Sequence, residues 1–83
     1  LPPIVEDISV IVADEIPTED IITTISQVDS LIFEVTLKDK YKDTRTFHII
    51  YKSLVENLTD KMVQPIRERV IETLIKVHHA TVK

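Results

Sequence analysis

Apolar and polar residues alternate along two neighbouring segments in the middle of the chain, residues 31–42 and 45–53. Because successive side chains of a strand point to opposite faces, a period of two predicts a strand in each segment. The side chains predicted to face inward are Leu31, Phe33, Val35 and Leu37 in the first strand and Phe47, Ile49 and Tyr51 in the second. Asp43-Thr44 lies between the segments and predicts a tight turn, so the two strands form a hairpin.

The opposite side of this hairpin is rich in cations. The side chains predicted to face outward are Ile32, Glu34, Thr36, Lys38, Lys40 and Lys42 in the first strand and Thr46, His48, Ile50 and Lys52 in the second. We therefore expect a sheet face with several cations and few acids.

Two segments have helical periodicity. Thr18-Glu19-Asp20 predicts a helix start, with Thr18 as the cap and the acids near the positive end of the helix dipole. Its apolar stripe is Ile21, Ile22, Ile25 and Val28, and the helix is expected to end near Asp29-Ser30.

Thr59 is the predicted cap of a second helix, with Leu58 as a hydrophobic staple on Val63. Its stripe is Val63, Ile66, Val70, Leu74 and Val77, and Pro65 removes one N–H donor near its start.

Short strands are predicted at both ends of the chain. Residues 7–13 form the first, with Ile8, Val10 and Val12 on one side, and residues 79–83 form the last. The order strand–helix–strand–strand–helix–strand is that of a ferredoxin-like α+β sandwich. Both helices have one apolar stripe, so we expect them to cover one face of a four-stranded antiparallel sheet and leave the other face open.

The composition excludes several kinds of site. Residues 1–83 are short enough for one domain, and the absence of an initiating Met suggests a piece of a longer chain. The sequence has no Gly and no Cys, which excludes a phosphate-binding Gly-rich loop, a zinc ribbon and thiol chemistry. The three histidines have no acidic residue at ligand spacing, so no metal site is predicted. The local sequence arranges no Ser–His–acid constellation, so no catalytic group is predicted. No segment resembles a signal peptide or a membrane span.

The charge is divided along the chain. Residues 1–37 hold eight acids and no Lys or Arg, whereas residues 38–83 hold all ten Lys and Arg and six acids. Such asymmetry favours a polyanionic or oriented partner. A solvated strand face, in which Lys keeps the sheet from aggregating, remains an open alternative. An RNA-recognition motif is not indicated, because its exposed aromatic positions on the first and third strands hold Ser9, Ile11, His48 and Ile50.

Several stretches together resemble the ferredoxin-fold anticodon-binding domain at the C-terminal end of the phenylalanyl-tRNA synthetase beta chain. They are PPIVEDISVIV, IPTEDIITTI, VTLKDKY with its Asp-x-Tyr motif, FHIIYKS, NLTDKMVQPIRERVIETL and HATVK, and they cover nearly the whole chain. The resemblance implies that the open sheet face packs on the anticodon stem-loop of the phenylalanine tRNA. The parent enzyme would be phenylalanine–tRNA ligase, which uses ATP and magnesium elsewhere; no cofactor and no catalysis are expected in this domain.

The resemblance also implies the site residues. Tyr41 would stack on a base and Asp39 would hydrogen-bond a base edge. Thr44 stands where the family has Ser, His48 where it has Arg, and Lys83 where it has the final Arg. From their facing and charge, Lys38, Lys40, Lys42 and Lys52 are expected to contact phosphates.

This sequence departs from the family pattern at several positions. The loop after the tyrosine shrinks to Lys42-Asp43, Glu6 replaces an Arg, and His48 replaces another. Each change removes a cation, so RNA affinity is expected to be weaker than is typical. Two alternatives stay open: a module that docks on the other synthetase domains or on the alpha subunit, and a regulatory amino-acid-binding domain. The resemblance implies a cytoplasmic or organellar protein, with no membrane or DNA partner.

Overall fold

The computed structural model describes residues 1–83, the whole chain. Its strands are β1 (Ile4–Ile11), β2 (Ile32–Tyr41), β3 (Thr44–Tyr51) and β4 (Thr81–Val82), and its helices are α1 (Thr18–Ser26) and α2 (Asp60–His78). The strands form one antiparallel sheet in the order β2-β3-β1-β4. The buried residues of both helices join those of the sheet in one core cluster. This confirms the ferredoxin-like α+β fold.

The predicted inward faces of β1 and β3 are confirmed. Ile8, Val10 and Val12 are buried, and so are Phe47, Ile49 and Tyr51. The alternation along β3 is complete over its whole length, since residues at odd positions are buried and those at even positions are partly exposed. β1 and β3 therefore have one side against the helices and one open side.

Two bulges in β2 change its predicted facing. Ile32 pairs with Tyr51 and Glu34 pairs with Ile50, so Phe33 is an extra residue in the ladder. As a result Ile32 is buried and Phe33 is 63% exposed, the reverse of the prediction for both residues. A bulge inserts one unpaired residue and so shifts the alternation that follows it.

The second bulge lies between Leu37 and Asp39. Beyond it, Lys40 pairs with Arg45, a residue on the helix side, and Tyr41 pairs with Thr44 on the open side. The prediction that Lys40 faces outward is therefore wrong. The turn consists of Lys42 and Asp43, and Thr44 begins β3, one residue earlier than predicted for the strand.

α1 begins without the predicted side-chain cap. Pro17 is its N-cap residue, and Thr18 is already within the helix. The helix ends at Ser26, before Val28, which still packs against the core from the following turn. The Asp29 carboxylate accepts the N–H of Leu31 at 2.8 Å, which starts the chain toward β2.

α2 follows the predicted pattern until its last turn. The Thr59 hydroxyl accepts the N–H of Met62 at 3.3 Å, which confirms the cap, and the helix continues through Pro65. The buried residues are Val63, Ile66, Val70 and Leu74. Val77 is 53% exposed, contrary to the prediction, because the last turn directs His78 toward α1, with its Nε2 2.8 Å from the Thr24 hydroxyl.

The end of α2 explains why β4 is shorter than predicted. His79 adopts the left-handed conformation, with φ of 55°, where a Gly is usual. The N–H groups of His79 and Ala80 donate to the carbonyls of Ile75 and Leu74. Both residues thus belong to the helix cap, and pairing with β1 begins at Thr81.

One partly buried network joins β1, β3 and α2 on the helix side. The Tyr51 hydroxyl donates to Glu6 Oε1 at 2.5 Å, and Arg67 Nε donates to Glu6 Oε2 at 2.5 Å. Burial, and then the hydrogen bond to the Glu6 carboxylate, raise the pKa of Tyr51 well above its usual value. Glu6 therefore connects the sheet to α2.

Candidate nucleic-acid interface

The open side of the sheet consists of four rows of side chains, defined by the strand register and called here the open face. From the hairpin tip to the other end, the rows are Tyr41–Thr44–Ile11–Thr81, Asp39–Thr46–Ser9, Thr36–His48–Asp7 and Glu34–Ile50–Val5. The hydroxyls of Ser9 and Thr46 lie 2.8 Å apart. The two rows near the tip are rich in hydroxyl groups, and the last row is largely apolar.

The hairpin tip presents an aromatic ring and a cation to solvent. Tyr41 is 68% exposed, and Lys42 Nζ lies 5.3 Å from the centroid of its ring. Lys42 has a φ of 56°, which the two-residue turn requires and which a residue other than Gly adopts only at a cost. Asp39 and Thr44 lie on the same face beside the ring.

The tip is tied to the loop between β1 and α1. The N–H of Val12 donates to the carbonyl of Asp43 at 3.0 Å. Lys40 Nζ donates to Asp14 Oδ1 at 2.7 Å and to the carbonyl of Lys42 at 3.1 Å. This hydrogen bond with Lys40 lowers the pKa of Asp14. Lys40 therefore supports the turn from the helix side, and it is not part of the open face.

Arg45 is a buried cation that our sequence reasoning did not single out. It is 1% exposed, and its guanidinium donates to the carbonyls of Ala13, Asp14 and Ile16 and to the Thr18 hydroxyl, at 2.6–3.2 Å. No carboxylate accepts from it, and its Nε has no partner. The sequence pattern could have predicted this position. Phe47 faces inward, and Arg45 lies two residues before it on the same strand, so the alternation places Arg45 inward as well.

The centre of the open face holds an ionic cluster. Lys38 Nζ donates to Asp7 Oδ2 at 2.5 Å, and His48 Nδ1 lies 2.7 Å from Asp7 Oδ1. A carboxylate can only accept, so the imidazole donates from Nδ1. The hydrogen bonds from Lys38 and then His48 lower the pKa of Asp7. The expectation of few acids was wrong, because Asp7, Glu34 and Asp39 all lie on this face.

The far end of the open face holds a second aromatic–cation pair. Lys52 Nζ lies 4.8 Å from the centroid of the Phe33 ring. Val5, which is 54% exposed, and Ile50 lie beside them in the last row. The first bulge of β2 creates this pair, because it turns Phe33 away from the core.

The structure gathers most of the predicted site residues on one surface. Those on the open face or at its tip are Lys38, Asp39, Tyr41, Lys42, Thr44, His48 and Lys52. The backbone N–H of Lys83 donates to the carbonyl of Ser9 at 2.9 Å, which places Lys83 next to the second row. No group of three or more His, Asp or Glu side chains is placed to hold a metal ion.

The chain matches one family of known domains. The family described as the ferredoxin-fold anticodon binding domain matches residues 1–83. No curated protein sequence matches the chain. Neither helix combines the length and apolar character needed to cross a membrane. Domains of the matching family bind tRNA within aminoacyl-tRNA synthetases and are not catalytic themselves. The match covers the entire chain, and the chain belongs to the ferredoxin-fold anticodon-binding domain family.

Proposed function

We propose that this domain binds the anticodon stem-loop of the phenylalanine tRNA through its open face, as part of a phenylalanine–tRNA ligase. The observation that carries the proposal is the hairpin tip, where an exposed Tyr41 ring and the Lys42 ammonium lie close together. Hydrogen bonds to the loop between β1 and α1 hold this turn in place. Stacking on an aromatic ring is the main way in which proteins hold unpaired bases, and the cation supplies phosphate attraction.

Each side chain at the tip has a distinct chemical role in this proposal. Tyr41 stacks on an anticodon base, and the Asp39 carboxylate accepts from an amino or imino group on a base edge. The Thr44 hydroxyl donates to a phosphate or a ribose. Lys42, Lys52 and Lys83 neutralise phosphates along the strand.

The contacts that hold the turn beneath the tip support the proposal that Tyr41 stacks on a base. Three elements hold the turn: the Val12–Asp43 hydrogen bond, the Lys40–Asp14 ion pair and the Arg45 guanidinium. A ring that is already positioned loses less conformational freedom on binding, so more of the stacking free energy appears as affinity. The domain thereby contributes recognition, while ATP, magnesium and the aminoacylation chemistry belong to the remaining synthetase domains and the alpha subunit.

One observation favours a second function for part of the same face. Phe33 lies next to Val5 and Ile50 of the last row, away from the tip, and this exposed apolar area suits docking on another domain of the synthetase. The two functions differ in their dependence on salt. Contacts with phosphates give an affinity that falls steeply with salt concentration, whereas an apolar contact does not.

A binding titration tests the proposal. Fluorescence anisotropy at low salt compares a labelled phenylalanine anticodon stem-loop with a hairpin of the same stem and a different anticodon. We expect tighter binding to the matching loop, and a plot of log K against log salt concentration with a slope of several units. Equal affinity for both hairpins would reduce the proposal to phosphate binding, and no binding to either would contradict it.

A further inference from the structure

Asp7 occupies a position on the open face where a phosphate of bound RNA would be expected. It lies at the centre of the sheet on β1, directly opposite His48 of β3 in the register. Its two carboxylate oxygens each accept from a different cationic or ring donor, Lys38 at 2.5 Å and His48 at 2.7 Å. Both donors belong to the set expected to contact RNA.

The arrangement is built by the backbone. The register places His48 beside Asp7, and the second bulge of β2 leaves Lys38 unpaired in the ladder, where its side chain reaches across β3 to Asp7. The side chains stay accessible, with Lys38 59% and Asp7 36% exposed. A phosphate oxygen can therefore approach the same donors that the carboxylate now holds.

We propose that Asp7 limits the RNA affinity of this surface, because it competes with RNA phosphates for Lys38 and His48. The inference rests on the proposed function and extends it. A phosphate contact carries no sequence information, because every nucleotide has the same phosphate. A carboxylate that holds two potential phosphate contacts lowers the affinity for all RNAs alike, and leaves discrimination to the bases at Tyr41 and Asp39.

Glu34 provides a matched control for this role. It lies on the open face of β2, one row away from Asp7, and it makes no ion pair. Asp7→Asn and Glu34→Gln each remove one negative charge from the same surface. Only Asp7→Asn releases Lys38. The difference in RNA affinity between the two variants therefore separates the loss of competition from the general electrostatic effect of removing one negative charge.

The experiment measures the affinity of both variants for three RNAs as a function of salt. The RNAs are the phenylalanine anticodon stem-loop, the hairpin with a different anticodon, and an unstructured oligouridine. For Asp7→Asn we expect the affinity to rise by about three- to tenfold for all three RNAs. The slope of log K against log salt concentration should become steeper by about one unit, which corresponds to one additional phosphate contact. The ratio of the affinities for the two hairpins should stay the same, because the released donors contact phosphates that both hairpins have. For Glu34→Gln we expect less than about a twofold rise and an unchanged slope.

A double-mutant cycle completes the test. Lys38→Ala should change RNA affinity little in the wild-type protein, because Asp7 already holds the ammonium, and should reduce it clearly in the Asp7→Asn protein.

If Asp7→Asn gains no more affinity than Glu34→Gln with any RNA, the inference is overturned. If the wild-type protein fails to distinguish the hairpins while Asp7→Asn still gains over Glu34→Gln with oligouridine, competition stands and the proposed anticodon recognition fails. Circular dichroism confirms that each variant is folded.

Discussion

Glu6 and Asp7 are neighbours on β1, and each carboxylate accepts from two side chains of distant elements. Glu6 faces the helices and holds the Tyr51 hydroxyl and Arg67. Asp7 faces solvent and holds Lys38 and His48. The two clusters have the same form, a carboxylate bridging two donors at 2.5–2.7 Å. They differ in their surroundings.

Those surroundings decide what each cluster does. The Glu6 side chain is 17% exposed and touches a tyrosine that is completely buried, so its hydrogen bonds form away from most of the water. The Asp7 cluster is screened by solvent, and exposed ion pairs contribute little to folding. The helix side therefore stabilises the fold, whereas the charged groups of the open side pair with one another and stay accessible to solvent.

Arg45 is the strongest test of the stabilising side. Arg45→Met keeps the apolar part of the side chain but leaves three carbonyls and the Thr18 hydroxyl without their donor. We expect a loss of about 2–4 kcal/mol in the free energy of unfolding, measured by urea denaturation. Arg69→Met is the control, since Arg69 is an exposed partner of Asp29, and should lose less than about 1 kcal/mol. Equal losses would refute the structural role of the buried guanidinium.

Tyr41 is the matching test of the open side. Tyr41→Ala should weaken binding of the anticodon stem-loop by about 1–3 kcal/mol, because stacking on the ring is lost. The free energy of unfolding should not change, since the ring is exposed. Val77→Ala, on the exposed face of α2, serves as the control and should leave RNA affinity unaffected. An unaltered affinity of Tyr41→Ala would remove the tip from the site.

The two tyrosines allow a direct comparison of the faces by loss of a single hydroxyl. Tyr51→Phe should reduce the free energy of unfolding by about 1–2 kcal/mol, because Glu6 loses a donor in a partly buried site. Tyr41→Phe should be neutral. Denaturation of both variants under the same conditions checks the prediction, and a neutral Tyr51→Phe would show that the Glu6 cluster resembles the exposed one.

The same hydroxyl gives a pH dependence with a defined sign. The pKa of Tyr51 is raised in the folded protein, so folding favours the protonated hydroxyl. This contribution is fully present below the ordinary value of 10.0 and is lost as the pH rises above it. The difference in stability between the wild-type protein and Tyr51→Phe should therefore be constant up to about pH 9 and shrink as the pH rises from about 10 to 11.5. A difference that stays constant from about pH 10 to 11.5 would contradict the assignment.

The smallest expected effect concerns the far end of the open face. Lys52→Ala should weaken RNA binding a few-fold and reduce the salt slope by about one, as expected for one lost phosphate contact. Lys76→Ala, near the end of α2, should change neither quantity. If Lys52→Ala leaves the salt slope intact, the RNA site ends before Phe33 and Lys52, and this row is better interpreted as a docking surface.

The alternation of apolar and polar residues predicted the facing of β1 and β3 and failed at β2. Phe47, Ile49 and Tyr51 face the core as predicted, because β3 is paired on both sides without interruption. Phe33 and Lys40 do not follow their predicted facing, because each lies at or beyond a bulge. A bulge depends on how two strands fit together, and one strand's pattern does not contain that information.

The same limit applies to the site. Tyr41 and Lys42 could be located from the Asp-x-Tyr motif and the turn. The pairing of Asp7 with Lys38 could not, because 31 residues separate them and the contact depends on the register of three strands. The sequence therefore predicted more unpaired donors on the open face than the structure has. That Asp7 pairs with Lys38 and His48 is evident only from the fold.

An amide NMR titration of the domain with the phenylalanine anticodon stem-loop tests the division between the two faces most directly. We expect amide shifts in residues 38–52, centred on Tyr41 and Lys42, and none in the exposed turns of α1 and α2. A hairpin with another anticodon should give smaller shifts at Tyr41. Shifts concentrated on the helices, or no shifts at all at low salt, would contradict the assignment of RNA binding to the open face.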